Sequence, residues 1–281
     1  MKMEVPSMKD RIALVTGGSR GIGAATAIQL GQNGARVAVN YYRNKTAAQE
    51  VVEIIESAGG TALAVQADVT KQEEVERMVS HVRETLGPID TLVLNAPASS
   101  SSSSEIPAHE QLQAILAPFT ASHWGILDSF VRGQLQAAYY PSQAVLPDMM
   151  KQQRGSILFV SATHARQPNE GGIAVAVAVA KASVEAMMQH MALELGPAGI
   201  RVNTVGGGMI LTDLNAGAPQ EIKNQIAQMT PLRRNGRPED MASAIAFLAS
   251  NQASFVTGAY LTVDGGNFII SWGLPAHRSA G

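Results

Sequence analysis

The sequence predicts an α/β fold in which a parallel sheet is covered by helices on both faces. Short apolar runs alternate with helical patterns from residue 12 to residue 263. Strands and helices that alternate at this spacing form parallel sheets, because each crossover helix must return the chain to the edge where the previous strand began. Right-handed crossovers then place helices on both faces. The expected architecture is a doubly wound, Rossmann-like sheet of about seven strands.

Each predicted element has a start or a stop in the sequence. The predicted strands are 12–15, 36–40, 62–65, 91–94, 156–160, 201–203 and 260–263. The predicted helices are 21–33, 46–58, 71–86, a long helix around 134–150, and 175–195. Glycine ends the first two helices, at Gly34 and at Gly59-Gly60. The last helix begins in an alternation of alanine and valine that alone indicates a strand, but the helical spacing over 182–195, ended by Gly196, favours a helix.

Three parts of the chain depart from this pattern. Residues 99–104 are a run of six serines, which is too polar to pack and is expected to be a mobile loop. The wider stretch 97–123 has patchy periodicity and is interpreted as an insertion. The tail after residue 270 has no clear pattern. We therefore expect residues 1–281 to form one domain that carries an insertion and a C-terminal tail.

Composition excludes several classes of function. The formal net charge is −2 without a long run of like charge, so no nucleic-acid or membrane-surface partner is expected. The chain contains no cysteine, which excludes thiol catalysis and thiolate metal sites, and no other residues have metal-ligand spacing. The first residues lack the apolar stretch of a signal peptide, and no apolar run is long enough to span a bilayer. We expect a cytoplasmic protein.

A glycine-rich segment, Thr16 to Gly23, follows the first predicted strand. Gly17, Gly21 and Gly23 allow the backbone to turn sharply and to approach a pyrophosphate, and the following helix supplies free N–H groups and a partial positive charge. Glycines alone also fit a tight turn. The strand before them and the helix after them are, however, the context that a dinucleotide site requires. The sequence therefore predicts nucleotide binding at this segment.

The end of the second strand favours NADP(H) over NAD. An acidic residue there binds the ribose 2′-hydroxyl, whereas arginine accommodates a 2′-phosphate. Residues 40–43 contain no acid, and Arg43 and Arg20 supply two guanidinium groups suited to phosphate. Arg43 alone also fits a solvated loop charge. Asp68 and Val69 are placed to contact the adenine, although Asp68 equally fits the cap of a turn or helix.

These residues together resemble the classical short-chain dehydrogenase/reductase family, over about residues 9–268. The motifs that carry the resemblance are 16–23, Asp68-Val69, Lys181-Ala182-Ser183, 199–203, Pro231-Leu232, 236–240, 256–258 and 263–266. Within the family the chain looks most like the 3-oxoacyl-(acyl-carrier-protein) reductases, which reduce a β-ketoacyl thioester with NADPH. The resemblance also implies coenzyme contacts at Ser19, Ile22, Tyr41, Asn95, Ala96, Lys181, Ile210 and Thr212.

The reaction site departs from the Asn-Ser-Tyr-Lys tetrad that the resemblance implies. In the family the tyrosine gives the proton, the lysine lowers the pKa of that tyrosine, and the serine orients the carbonyl. Only the lysine is kept, as Lys181, and Val177 stands at the tyrosine position. The family's serine pair becomes Ser161 and Ala162, so the second, catalytic serine is lost. Thr163 replaces it only if the loop is shifted by one residue.

Other groups must then supply the proton. Gln134 stands at the position of the family's asparagine and reaches one methylene further. The tyrosine of enoyl reductases is also absent, because the seventh residue before Lys181 is Ala174. His164 follows the fifth strand and is a candidate donor, since imidazole titrates near neutrality, although histidine in such a loop is more often merely exposed. A water held by Lys181 and Ser161 is the alternative.

Three functions stay open from the sequence. The first is an NADPH-dependent reductase with a non-standard proton donor, acting on a β-ketoacyl thioester or a related polyketide-like carbonyl, free or bound to a carrier protein. The second is a non-reductive enzyme, and the third is a silent nucleotide-binding subunit. The glycine-rich segment, Lys181 and Thr212 favour the first two, and the missing tyrosine favours the second and third; we expect the reductase. The helices near 134–150 and 175–195 and the segment 263–270 resemble those that pair in family oligomers, so a homodimer or homotetramer is expected.

Overall fold

The sheet has seven parallel strands in the order β3-β2-β1-β4-β5-β6-β7. The computed structural model describes residues 7–97, 117–168 and 174–267. The strands are β1 (Ile12–Val15), β2 (Arg36–Tyr41), β3 (Thr61–Gln66), β4 (Thr91–Leu94), β5 (Gly155–Ala162), β6 (Ile200–Gly207) and β7 (Tyr260–Val263). All six neighbouring pairs are parallel.

Seven α-helices accompany these strands within the described ranges. They are α1 (Gly21–Gln32), α2 (Lys45–Ser57), α3 (Gln72–Thr85), α4 (Trp124–Gln152), α5 (Val175–Leu195), α6 (Gln220–Met229) and α7 (Pro238–Ala249). Among the residues that the structure describes, no helix combines the length and the apolar character needed to cross a membrane.

Two hydrophobic cores lie on opposite faces of the sheet. The first is formed with α3, α4 and α5 and includes Phe159 and Met188. The second is formed with α1, α2 and α7 and includes Leu30 and Ile245. Successive side chains of β5 point to opposite faces of the sheet, so Leu158 packs in the second core and Phe159 in the first. The central strands β1 and β4 are buried throughout, as a sheet covered on both faces requires.

The order of the strands reverses between β1 and β4. From β1 the chain builds outward to β2 and β3, and it then returns to add β4 on the other side of β1. In sheets of this kind, ligands bind at the carboxyl ends of the strands beside this reversal. The glycine-rich segment (residues 16–23) leaves β1 at that point.

The predicted doubly wound sheet is confirmed, with differences at the ends of elements. β5 and β6 are longer than predicted, because they pair continuously over 155–162 and 200–207. α4 starts at Trp124, earlier than predicted, and α6 and α7 were not predicted as helices. The first residue before α5, Ala174, has a left-handed conformation with φ 63°.

Parts of the expected insertion and tail lie outside the described residues. These parts are 98–116, which contains the serine run, and 268–281; residues 169–173 are also outside. The described end of the insertion is a single 3₁₀ turn, Phe119–Ala121, which leads into α4.

Candidate functional site

The glycine-rich segment is held from two neighbouring strands. From β2, Asn40 accepts the N–H of Gly17 on its side-chain oxygen (3.1 Å) and the N–H of Gly18 on its backbone oxygen (2.7 Å). From the end of β4, the Asn95 side-chain amide donates to the carbonyl oxygens of Thr16 (3.0 Å) and Gly17 (3.1 Å). The loop conformation is therefore fixed by hydrogen bonds to the protein itself and is formed in advance of any ligand.

The start of α1 has no room for side chains. A Cβ atom on Gly23 would lie 2.2 Å from the Gly17 carbonyl oxygen and 2.5 Å from the Asn95 side-chain nitrogen. Gly17 itself has φ +60°, a conformation that L side chains rarely adopt. Arg20, the residue that precedes α1, makes no side-chain cap to the helix. The N–H groups of the first turn and the positive end of the helix are thus left for an anion, and these residues fit a pyrophosphate.

Asn40 is a site residue that the sequence analysis did not assign. Its side chain is 2% exposed, and its amide nitrogen donates to the carbonyl oxygens of Val65 (3.4 Å) and Ala67 (3.2 Å). One side chain therefore connects the glycine-rich segment to β2 and β3. The signal in the sequence is a polar residue that continues an apolar strand, where an unpaired amide would be costly.

The corner proposed for the 2′-phosphate carries exposed arginines. The Arg43 guanidinium lies 4.8 Å from the centre of the exposed Tyr42 ring. Arg20 lies 3.6 Å from Asp213, and both side chains are mostly exposed. The assignment of Tyr41 as a coenzyme contact needs correction for its side chain, because that ring is 6% exposed and packs in the second core. Tyr42 presents the aromatic ring at this surface instead.

The remaining coenzyme candidates lie around the same crevice. The Asp68 carboxylate accepts the N–H (2.9 Å) and the hydroxyl (2.7 Å) of Thr70, so it caps a turn, as the alternative interpretation expected. Thr212 reaches the glycine-rich segment, since its side chain would lie 3.2 Å from a Cβ on Gly21. Ile210 is 6% exposed. The other candidates are Ser19 after β1, Ile22 in the first turn of α1, Val69 after β3 and Ala96 after β4.

Lys181 lies on α5, and its side chain brings a basic group to the carboxyl end of β5. Its Nζ donates to the Val160 carbonyl oxygen at 2.9 Å. Burial lowers the pKa of Lys181 to about 8, and the nearby Glu185 carboxylate opposes this shift. Val177 lies one turn earlier on α5, and it offers neither a proton nor a hydrogen bond. The lysine therefore has no side-chain acid at the position where the family resemblance implies a tyrosine.

Ser161 faces the first core and not the crevice. Its hydroxyl donates to Glu185 Oε1 at 2.6 Å, and the side chain is buried. A serine has one proton to donate, and Ser161 donates it to Glu185, so its hydroxyl could hold the water expected beside Lys181 only as an acceptor. Ala162, the last residue of β5, has no hydroxyl to replace it. Thr163 Oγ1 lies 3.4 Å from the Gly207 carbonyl oxygen, at the outer limit of a hydrogen bond.

His164 and Gln134 complete the set of expected reaction residues. His164 lies in the 3₁₀ turn after β5, and its Nε2 atom is buried without a hydrogen-bond partner among the described residues. Burial lowers the pKa of His164, and the Lys181 charge lowers it further. Gln134 is 6% exposed on α4. At neutral pH the partly buried imidazole is therefore mainly uncharged, and it carries less of an available proton than the lysine ammonium.

Three further residues surround Lys181 and Ser161, and the sequence analysis did not find them. They are Arg166, Glu185 and Tyr260. Glu185 follows Lys181 by four residues and therefore shares its helix face, which is the available signal in the sequence. The contacts of Arg166 and Tyr260 bring together the segment after β5, α5 and β7, so no local sequence pattern predicts them.

The fold and this site define a class of nucleotide-dependent α/β oxidoreductase. Residues 17–267 match a family model described as enoyl-(acyl carrier protein) reductase. The chain is 34% identical over 260 residues to a 3-oxoacyl-(acyl-carrier-protein) reductase of Staphylococcus epidermidis, covering 92% of this chain and 100% of that protein. It is 37% identical over 265 residues to an L-rhamnose 1-dehydrogenase (NAD(P)(+)) of a Sphingomonas species, covering 93% of this chain and 98% of that protein.

A solved structure gives the same assignment. The gluconate 5-dehydrogenase of Burkholderia cenocepacia, determined in complex with NADP and tartrate, superimposes with a TM-score of 0.80 at 26% identity and covers 93% of this chain and 96% of its own. The chain belongs to the short-chain dehydrogenase/reductase family. Its relatives include enzymes that act on acyl thioesters and enzymes that act on sugars.

Proposed function

We propose that the protein is an NADPH-dependent reductase that acts on the carbonyl of a β-ketoacyl thioester, or of a related polyketide-like compound, without a tyrosine as proton donor. The observation that carries this proposal is the preformed glycine-rich cradle beside a buried lysine. A subunit with only a structural role would not need an uncapped helix N-terminus beside a loop that is fixed in advance by the side chains of Asn40 and Asn95. The 3-oxoacyl-(acyl-carrier-protein) reductase relatives support the substrate class.

NADPH is the coenzyme that the exposed arginines favour. Arg43 and Arg20 supply positive charge at the proposed ribose corner, and the end of β2 carries Asn40 in place of an acid. Arg20 already faces Asp213 at 3.6 Å. A 2′-phosphate would compete for this exposed guanidinium, which costs little because ion pairs between exposed side chains are weak.

Lys181 is the favoured source of the proton. When bound, NADPH supplies the hydride, so the protein has to stabilise and protonate the oxygen of the reduced carbonyl. The Lys181 pKa of about 8 keeps the ammonium mainly charged at pH 7 and still able to release a proton. The partly buried His164 has a lowered pKa and a largely neutral ring. The proton therefore leaves Lys181, directly or through a water, and the amine is recharged from solvent.

The function is tested by binding and turnover with purified protein. NADPH and NADH are titrated by fluorescence, and the absorbance of the reduced coenzyme is then followed with a β-ketoacyl thioester. We expect NADPH binding and slow turnover. Val177→Tyr is expected to raise kcat, because it restores an acid on the lysine face. Val179→Tyr is the matched control, since Val179 is 40% exposed on the same helix. Binding without turnover across a panel of carbonyl compounds would contradict the reductase.

A second candidate is a family member that binds the nucleotide without reducing a substrate. The absence of a hydroxyl at Val177 and Ala162, together with the bonded Ser161, favours it. Such a protein would bind NADPH as tightly as the reductase and would gain no activity from Val177→Tyr. The same experiment therefore separates the two functions.

Self-association is part of the proposal. Large apolar side chains are exposed on α4 and α5, including Trp124 (76% exposed), Tyr139 (49%) and Leu193 (80%). Isolated exposed apolar residues are common, but several on two adjacent helices favour an interface. We propose a homodimer or homotetramer in the cytoplasm, with a free or carrier-protein-bound acyl substrate. Light scattering coupled to gel filtration gives the mass, and a monomer would contradict this part.

A further inference from the structure

A buried carboxylate holds two functional segments together beside the reaction site. Glu185 on α5 is 6% exposed. One of its oxygens accepts the Ser161 hydroxyl from β5 at 2.6 Å, and the other accepts Nε of Arg166, from the segment after β5, at 2.8 Å. A buried carboxylate is stable only when it is paired and hydrogen-bonded. Glu185 therefore links the sheet, the helix and the segment that carries His164.

Arg166 is held in turn by the edge strand. Its guanidinium lies 3.8 Å from the centre of the Tyr260 ring on β7, a distance at which a cation is attracted to an aromatic face. The Tyr260 ring can reach Arg166 because Gly206, on the neighbouring strand β6, has no side chain in the way. A Cβ on Gly206 would lie 1.9 Å from the Tyr260 hydroxyl oxygen, and Gly206 is the residue that pairs with Ser161. Three strands and one helix thus converge on Glu185.

The same carboxylate lies one helical turn after Lys181. Residues four apart on a helix share a face. The Lys181 amine also donates to the Val160 carbonyl oxygen at the end of β5. Three residues further along the chain, the Thr163 carbonyl oxygen accepts the N–H of Arg166. We propose that Glu185 is a positioning residue of the reaction: it fixes the segment after β5 through Ser161 and Arg166, and it places a carboxylate one helical turn from the Lys181 amine.

The charged and titratable groups around this pair act in identifiable directions. Glu185 raises the pKa of Lys181, against the burial that lowers it. His164 lies on the turn after β5, and the nearby positive charge of Lys181 lowers the pKa of His164. Arg166 neutralises part of the Glu185 charge. Burial raises the pKa of Tyr260 to about 12, with Glu185 and Asp264 acting in the same direction and Arg166 and Ser161 against it, so the phenol stays neutral.

The inference rests on the proposed function, but its central test does not need turnover. The chain has seven lysines, so the ¹³Cε signals of labelled lysine can be followed by NMR during a pH titration, with Lys181→Arg identifying the Lys181 signal. The wild-type signal is expected to titrate near pH 8. Glu185→Gln, which keeps the shape of the side chain and removes its charge, should lower this midpoint by about one pH unit.

The matched control is Glu194→Gln, the same chemical change at an exposed position of α5, which should leave the midpoint unchanged. A second variant, Arg166→Gln, removes the cation that faces the same carboxylate and should raise the midpoint. A general disturbance of the structure would not produce shifts of opposite sign. If Glu185→Gln does not fold, the Lys181 midpoint in Arg166→Gln tests the proposal: a raised midpoint supports it, and an unchanged midpoint overturns it.

Turnover adds an independent measurement. In an active enzyme the alkaline limb of kcat should move with the Lys181 midpoint in each variant, while NADPH binding stays within about twofold. An unchanged Lys181 midpoint in Glu185→Gln, or equal shifts in the two variants, would overturn the role of Glu185. Wild-type protein that shows the expected midpoints but reduces no carbonyl would instead contradict the proposed function and leave this assignment intact.

Discussion

The two ends of the crevice are built on different principles. At the glycine-rich segment the contacts are hydrogen bonds between uncharged groups: the side chains of Asn40 and Asn95 hold the backbone of the loop, and Gly23 lets that backbone pack closely against α1. At the end of β5 the contacts are between charged side chains, with Glu185 between Lys181 and Arg166. The first end is organised to receive a large anion, and the second to hold protons.

This difference indicates which substitutions each end tolerates. A backbone cradle is sensitive to volume and indifferent to pH, because no titratable group forms it. A charged network tolerates a change of shape at an exposed member, but its protonation depends on every neighbour. Val177, where the family resemblance implies a tyrosine, therefore lies at the adaptable end of the crevice, where we expect other groups to supply a proton.

The largest effect is expected from Lys181→Met. If the lysine is the proton source, kcat should fall by about 100- to 10,000-fold, the range for loss of a general acid. His164→Ala should reduce kcat by much less, because the pKa of His164 is already lowered and the ring is mainly neutral. Steady-state kinetics at pH 7 measures both. A larger loss in His164→Ala than in Lys181→Met would reverse the assignment.

Gly23→Ala tests the backbone end. The new methyl group would overlap the Gly17 carbonyl oxygen, so the loop must move by about 1 Å, and we expect NADPH binding to weaken roughly 100-fold. Gly125→Ala on α4 is the control, because no other atom lies within 4 Å of a Cβ there. Fluorescence titration and thermal unfolding are measured together. Equal affinity in the two variants would show that the cradle is not the binding site.

Arg43→Ala should change the choice of coenzyme. Loss of a charge-assisted contact to the 2′-phosphate should weaken NADPH binding about tenfold and leave NADH binding nearly unchanged. Lys45→Ala, two residues further and equally exposed, controls for the general effect of a lost positive charge. Parallel loss of both coenzymes would place Arg43 outside the ribose corner.

The smallest effect is the pH dependence of the natural protein. Since the reductive direction consumes the Lys181 proton, the rate should fall as pH rises through the Lys181 pKa, reaching about half its plateau near pH 8. The binding of NADPH should vary little over the same range, because the cradle contains no group that titrates there. A kcat profile that is flat to pH 10 would exclude the lysine as donor.

Much of the fold was accessible from the sequence, and the exceptions have physical causes. The strands in the middle of the sheet are continuous apolar runs, so they were found. The ends of β5 and β6 were missed, because Gly206 and Gly207 have low strand propensity and are strands only through pairing with their neighbours. α6 was missed because it buries no residue, so its pattern carries little core signal.

The glycine-rich segment could be predicted from the sequence, and Lys181 could be predicted from the family resemblance. The position of Tyr41 could have been predicted from strand alternation, since Val37, Val39 and Tyr41 point to the same core. The contacts that join Arg166 and Tyr260 to Glu185 could not be predicted, because these three residues come from parts of the chain far apart in sequence. Which of these side chains meet depends on the register of β5, β6 and β7, and a single sequence does not encode that register locally.

The amide of Asn40 also limits which residues this strand end can accept. An acid at position 40 is disfavoured, because the buried oxygens of an aspartate would face the carbonyls of Val65 and Ala67 with no hydrogen to offer them. Repulsion would loosen β3 and the glycine-rich segment at once. An acid at position 40 would therefore require a second, compensating substitution, and the identity of this residue is tied to the integrity of the sheet.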